Sequence, residues 1–273
     1  MSWGQSIAPR AGFWRRLVAF TIIDVLVVAL PFTTIAAVLF AATSGLIQFQ
    51  GESIVSLSVP APVDGIPLPS RGGIPALYSC EKVRPPPEGL TPSPPANANF
   101  ARECRTYVFF VAETARYLQV GRVQEGVSTA VVSRSYMLDK TSHPINGVSI
   151  DWLMQVIFII YLFSMEARSG ATLGDRLMRI QLVDSSDPVS RGVPLRKIVI
   201  RYLTMVLGFV PMIAVLLVHI ARYGQNPEES IPLTWLLLAG FLTLAWYIVI
   251  VVQIVMKRDP LYDIIAGTAV LRV

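Results

Sequence analysis

The chain has 273 residues, 53% of them hydrophobic and only 15% charged, against about a quarter charged in soluble domains; the mean hydropathy is +0.56. The formal net charge of +5 sits largely in basic residues beside apolar runs, and no basic patch interleaved with aromatics occurs, which argues against nucleic acid as a partner. The apolar excess is gathered into a few long runs, the distribution expected of a polytopic integral membrane protein whose first partner is the lipid bilayer.

Residues 1–16 read as a cytoplasmic N-terminus and 17–44 as transmembrane helix 1. The run from Leu17 to Thr43 is about 27 residues, or about 40 Å of helix, enough to cross a core of about 30 Å with tilt. It is longer than the apolar part of a cleavable signal, about 7–15 residues, and predicts an uncleaved helix. Its one ionisable residue is Asp24.

Residues 45–147 form a large insertion. The chain's two cysteines, Cys80 and Cys104, both lie in it. A disulfide is the natural reading on an oxidising side of the membrane, worth roughly 3 kcal/mol for a loop of this length, with two unpaired thiols as the alternative. Residues 52–59 suit a strand, and the proline-crowded stretch from Pro60 to Pro95 suits extended loop or polyproline II. Arg105–Val111, Tyr117–Val123 and Val127–Met137 carry the β-branched and aromatic residues of strands. The expectation is a small, partly β, disulfide-tied domain.

Three further apolar runs predict transmembrane helices over 148–166, 198–220 and 231–256. The shortest, 148–166, has an interfacial position as its alternative. Pro211 should kink the 198–220 helix. Between the second and third helices, 167–197 reads as a cytoplasmic loop, with Leu173, Leu177, Ile180 and Val183 at the spacing of an amphipathic helix. Residues 221–230 read as an outer loop and 257–273 as a cytoplasmic C-terminus.

Topology follows from the basic residues. Arg10, Arg15 and Arg16 precede helix 1; Arg168, Arg176, Arg179, Arg191, Arg196 and Lys197 lie between helices 2 and 3; Lys257, Arg258 and Arg272 follow helix 4. The positive-inside rule then puts both termini in the cytoplasm and residues 45–147 on the periplasmic or extracellular side of the inner (plasma) membrane. The predicted class is an all-α polytopic membrane bundle of four transmembrane helices with a small, partly β, non-cytoplasmic insertion.

An aspartate about 10 Å inside hydrocarbon costs up to about 2.5–3.5 kcal/mol, so Asp24 should face the bundle and find a partner. Arg16, eight positions earlier, lies about 12 Å away along the axis and about 80° around it, out of reach. Arg201 in the third helix is the expected partner, with the Thr204 hydroxyl as an alternative. Arg16 and Asp263, at one level near the cytoplasmic face, are expected to pair. Asp24 reads either as a proton or cation carrier or as a buried clamp between helices, and the residues alone favour the clamp.

The chain carries no phosphate-binding glycine loop, no HExxH, no GxSxG and no cysteine–histidine cluster. No catalytic residue, metal site or cofactor is expected, and the protein does not read as an enzyme.

Three stretches together resemble the RDD family of membrane proteins. They are Gly12-Phe13-Trp14-Arg15-Arg16-Leu17-Val18-Ala19 continuing to Ile23-Asp24; Gly170-Ala171-Thr172-Leu173-Gly174-Asp175-Arg176-Leu177 running on to Leu182-Val183-Asp184; and Asp259-Pro260-Leu261-Tyr262-Asp263-Ile264-Ile265-Ala266-Gly267-Thr268. The resemblance covers 10–44 and 150–273, and departs from the family at Asp175, Arg179 and Tyr262. It implies roles for Arg16, Asp24, Asp263 and the Gly170–Thr172–Gly174 motif, and small-cation or proton transport as an activity; four helices leave little room for a pathway, so transport would call for a homo-oligomer. The alternative expectation is a non-catalytic accessory or scaffold subunit of a membrane or envelope complex, binding partners through the outer insertion.

Overall fold

The computed structural model describes residues 10–51, 57–58, 61–63, 66–68, 71–72, 76–83, 90–108, 111–124, 130–187, 190, 192–223 and 232–273. The chain divides into two compact units, Met1–Val27 with Phe158–Val273, and Val28–Ile157. The boundaries fall inside helices α1 and α2.

Helix α1 runs from Phe13 to Ala42, with π-helical turns over Val18–Asp24. Helix α2 is Asp151–Ser169 and α3 the single short turn Leu173–Leu177. Helix α4, Leu195–Val206, passes through a 3-10 turn at Leu207–Phe209 into α5, Val210–Tyr223. Helix α6 is Leu233–Val255 and α7 Leu261–Ala266. The interruption between α4 and α5 falls just before Pro211, which has no N–H to give the preceding turn, as the sequence anticipated.

Among the described residues, three helical stretches are long and apolar enough to cross a membrane: Phe13–Ala42, Leu195–Ala221 and Leu233–Val255. They expose large apolar side chains such as Ile35, Val38, Leu203, Leu217, Leu237 and Phe241. Bare surface of that kind is stable only when lipid covers it. The chain is therefore a membrane protein. The fourth expected run forms a helix too, but one bounded by charge, with Asp151 at its start and Glu166 and Arg168 in its last turn.

The helical unit is not all-α. The amphipathic helix expected through Leu173–Val183 stops at Leu177. Arg179 adopts φ +54°, a left-handed conformation that no helix continues through. The chain leaves it as strand β5, Ile180–Asp184, which pairs antiparallel with β6, Thr268–Arg272, from Ile180 opposite Arg272 to Asp184 opposite Thr268. Gly267, at φ +66°, ends α7 in the left-handed cap that reverses the chain into β6. Ile180, Leu182 and Val270 of this pair bury against Ala11, Ala19, Val193 and Ile198. A second core packs Ile250 and Ile254 of α6 on Tyr262 of α7.

The unit Val28–Ile157 is built on a four-stranded antiparallel meander, β1 (Ala76–Lys82), β2 (Phe100–Val108), β3 (Ala112–Gln124) and β4 (Ala130–Met137). Cys80 and Cys104 face each other across the first two strands and are disulfide-bonded, with Cα atoms 4.1 Å apart. Leu90, Ala101, Leu118, Val120, Tyr136 and Leu138 form its core. Gln48, fully buried, ties the chain entering the domain to the sheet: its amide nitrogen donates to Gly45 O and Leu138 O, and its oxygen accepts from Arg116 N. Of the strand expected over 52–59, Leu57–Ser58 is described; Pro85–Pro87 and most of the 221–230 loop lie outside the described residues.

Candidate functional site

Asp24 closes the π-helical turns of α1 and is 1% exposed. Its Oδ1 accepts from Tyr161 Oη at 2.8 Å and from Gly174 N at 2.9 Å, and its Oδ2 accepts from Thr172 Oγ1 at 2.7 Å. The expected Asp24–Arg201 pair does not form. All three donors are neutral, and two come from the Gly170–Gly174 motif that the sequence placed in the cytoplasmic loop. The reason is local. Thr172 N-caps α3 in a capping box: Thr172 Oγ1 accepts from Asp175 N and Thr172 N donates to Asp175 Oδ2, both at 3.1 Å. That box fixes the turn so that its hydroxyl hydrogen and the Gly174 amide both point at one carboxylate. A Cβ at Gly174 would strike Ala19 O and lie 2.9 Å from Asp24 Cγ; only glycine allows the turn this close to α1.

Arg16 and Asp263 pair as expected, Nη1 to Oδ2 at 3.2 Å. Arg201 joins them from α4, with Nε 2.9 Å from Asp263 Oδ1 and Nη1 3.1 Å from Glu166 Oε1. Tyr202 Oη donates to the same Glu166 oxygen at 3.0 Å, and Thr268 Oγ1 donates to Asp263 Oδ1 at 3.0 Å. Two arginines and two carboxylates thus alternate along a chain Arg16–Asp263–Arg201–Glu166. Arg201 also lies over the Tyr262 ring at 5.5 Å and the Tyr202 ring at 5.8 Å, where a flat guanidinium can stack. Glu166 lay at the end of the second run and gave no sign in sequence of belonging to a site. Tyr161 and Tyr202 were equally silent, whereas Thr268 stood in the third stretch with no role of its own and the Thr-x-x-Asp box at 172–175 was a readable signal.

Both groups open on one cavity of about 390 Å³. Arg16, Asp24, Glu166, Asp175 and Arg201 line its polar side, and Phe20, Met205, Tyr247, Ile250 and Ile254 are among its apolar walls. Three buried polar atoms of these residues make no hydrogen bond: Glu166 Oε2, Arg16 Nη2 and Arg201 Nε, the last held beside Asp263 Oδ1 by charge alone. Burial pushes the Asp175 carboxyl above the usual range, against the opposing pull of the Thr172 N–H and Arg201. Burial, with Asp263 beside it, also pushes the Tyr262 phenol up. Cys80 and Cys104 belong to the other unit and take no part. No group of three or more His, Cys, Asp or Glu placed to hold a metal occurs among the described residues.

Comparison with protein-family models, with curated proteins and with solved structures finds no match.

Proposed function

We propose that the protein moves a proton or a small cation through the membrane, with Glu166 as the exchanging group and Asp24 as a structural lock. The carrying observation is the Glu166 carboxylate. One oxygen is held by Arg201 and Tyr202, and the other is buried, without a hydrogen-bond partner, in a residue that lines the 390 Å³ cavity. A buried acceptor left open is costly unless something binds it. The charge balance favours a cation. Arg16 and Arg201 are offset by Asp263 and Glu166, and Asp24 and Asp175 add two further carboxylates that make no ion pair among the described residues.

The three stretches that resemble the RDD family meet here: Arg16 with Asp263, Asp24 with Thr172 and Gly174, and Asp184 opposite Thr268. That convergence supports reading the chain as an RDD-type protein. In this reading α2 is the fourth crossing, since Trp152, Ile159 and Ile160 give it an exposed apolar band. Both termini are then cytoplasmic, and residues 45–147 lie outside the inner membrane.

The test is flux in sealed vesicles loaded with a pH-sensitive dye and driven by a Na⁺ or K⁺ gradient. Glu166→Gln should abolish the flux while the protein stays monodisperse and membrane-inserted. Wild-type vesicles without flux, or Glu166→Gln vesicles with undiminished flux, would remove the proposal. A second reading, an accessory subunit, draws on the disulfide-tied sheet with its own core in the unit Val28–Ile157. Affinity capture of a stoichiometric partner that depends on that unit would favour it.

A further inference from the structure

A second concavity, of about 790 Å³, lies in the helical unit and is lined by Arg168, Arg176 and Arg179 together with Ser169, Ala171, Ile180, Gln181 and Val273. Among the described residues no acidic side chain lines it. Each arginine is exposed, and among the described residues none makes an ion pair or a side-chain hydrogen bond, unlike Arg10, Arg16 and Arg201, which all pair with carboxylates. The polar groups between them are already engaged, Ser169 Oγ with Met165 O and Ala171 O, and Gln181 Nε2 with Ser169 O. Three guanidinium groups around one hollow therefore hold unused donor capacity suited to a phosphate.

Two observations choose the source of that phosphate. Ile160, the last strongly exposed apolar residue of α2, precedes Arg168 by eight positions, about 12 Å along the helix; with α2 as the fourth crossing proposed above, this sets Arg168 at headgroup depth. Leu173 and Leu177, 40% and 70% exposed and four residues apart on α3, flank Arg176 with an apolar edge that water does not favour and acyl chains do.

We propose that this pocket binds the phosphate of an anionic phospholipid, with Arg168, Arg176 and Arg179 on the headgroup and Leu173 and Leu177 against the acyl chains. The site is separate from the Glu166 cavity and stands or falls independently of transport.

The full-length protein in a neutral detergent is titrated by native mass spectrometry with dioleoylphosphatidylglycerol, dioleoylphosphatidylcholine and inorganic phosphate. Phosphatidylglycerol should bind at least about tenfold more tightly than phosphatidylcholine. Each of Arg168→Gln, Arg176→Gln and Arg179→Gln should weaken it about fivefold, and the triple variant should fall to the phosphatidylcholine level. The single variants carry the test if the triple one does not fold. A charge-matched control, Arg196→Gln with Lys257→Gln and Arg258→Gln, should stay within about twofold of wild type. Equal binding of the two lipids, full retention in the pocket variants, or an equal loss in the control would overturn the proposal. Displacement of the lipid by millimolar inorganic phosphate would overturn the lipid assignment and make this a soluble-phosphate site.

Discussion

If Asp24 is a lock, removing it should loosen the packing of the 170–175 turn on α1. Asp24→Ala deletes three hydrogen bonds of 2.7–2.9 Å, each worth about 1.5–3 kcal/mol when the acceptor is charged. The gross loss of about 5–9 kcal/mol is offset by the several kcal/mol that burying the carboxylate costs, leaving about 3–5 kcal/mol net. Asp24→Asn is milder. Tyr161 and Gly174 both use Oδ1 and keep an acceptor, while the new amide faces Thr172 Oγ1 and strands its hydroxyl hydrogen, for a loss of about 1.5–3 kcal/mol. At about 2–4 °C per kcal/mol, thermal unfolding in detergent, followed by circular dichroism, should fall by roughly 5 °C for Asn and by at least about 6 °C for Ala. In a double-mutant cycle, Asp24→Asn and Thr172→Val should couple by about 1–2 kcal/mol because they share one bond. An Asp24→Ala protein unfolding within about 1 °C of wild type, or strict additivity in the cycle, would refute the reasoning.

Gly174→Ala should cost about 2–3 kcal/mol, because the added methyl meets the backbone of Ala19 rather than a side chain that could move; an unchanged unfolding midpoint would contradict that. Lys197 and Ser186 hold the Asp184 carboxyl down to about 2, below its usual 3.8. A depressed carboxyl stabilises the fold above the unfolded value and loses that contribution as pH falls from about 4 through about 2, and Lys197→Gln should flatten this slope in unfolding midpoints measured across that range. Cys80→Ser with Cys104→Ser should cost roughly 3 kcal/mol in the Val28–Ile157 unit, read as faster amide exchange in the strands Phe100–Val108 and Ala112–Gln124; equal protection would show the bridge to be redundant. Arg201→Met should cost about 3–5 kcal/mol, since it strips a counter-charge from both Glu166 and Asp263. Arg201→Lys should recover little of it, because a single ammonium cannot reach two acids through two faces of a guanidinium.

Sequence showed best what a single period or a single rule determines. The long apolar runs at Leu17–Thr43, 198–220 and 231–256 became the three membrane-length helices, because apolar length is a local property. The strands around Arg105, Tyr117 and Met137 and the Cys80–Cys104 bridge were legible for the same reason. The Arg16–Asp263 pair followed from two charges at one depth. Elsewhere tertiary pairing outweighed local pattern. The helical spacing of Leu173, Leu177, Ile180 and Val183 was real, but it could not show that Thr268–Arg272 would offer a strand partner, nor that Arg179 would turn left-handed. Arg201 was found as an important charge and given the wrong acid, because Glu166 sits at the helix edge where such a residue usually meets water.

The cluster divides into two parts that respond differently to loss of charge. Asp24 spends all of its observed hydrogen-bonding on neutral donors that belong to the fold, a backbone amide among them. Any proton or cation taken up there would compete with the contacts that hold the 170–175 turn on α1. Glu166 is built otherwise. Its Oε1 is fixed by Arg201 and Tyr202, so the side chain is already oriented, and its Oε2 has nothing to give up. Neutralising Glu166 leaves Arg201 still paired with Asp263, and Asp263 still paired with Arg16. An acid that can lose its charge without unpairing its neighbours can cycle. An acid whose charge is tied to the backbone of a neighbouring segment cannot, and that asymmetry makes Glu166, rather than the equally buried Asp24, the carboxylate suited to exchange.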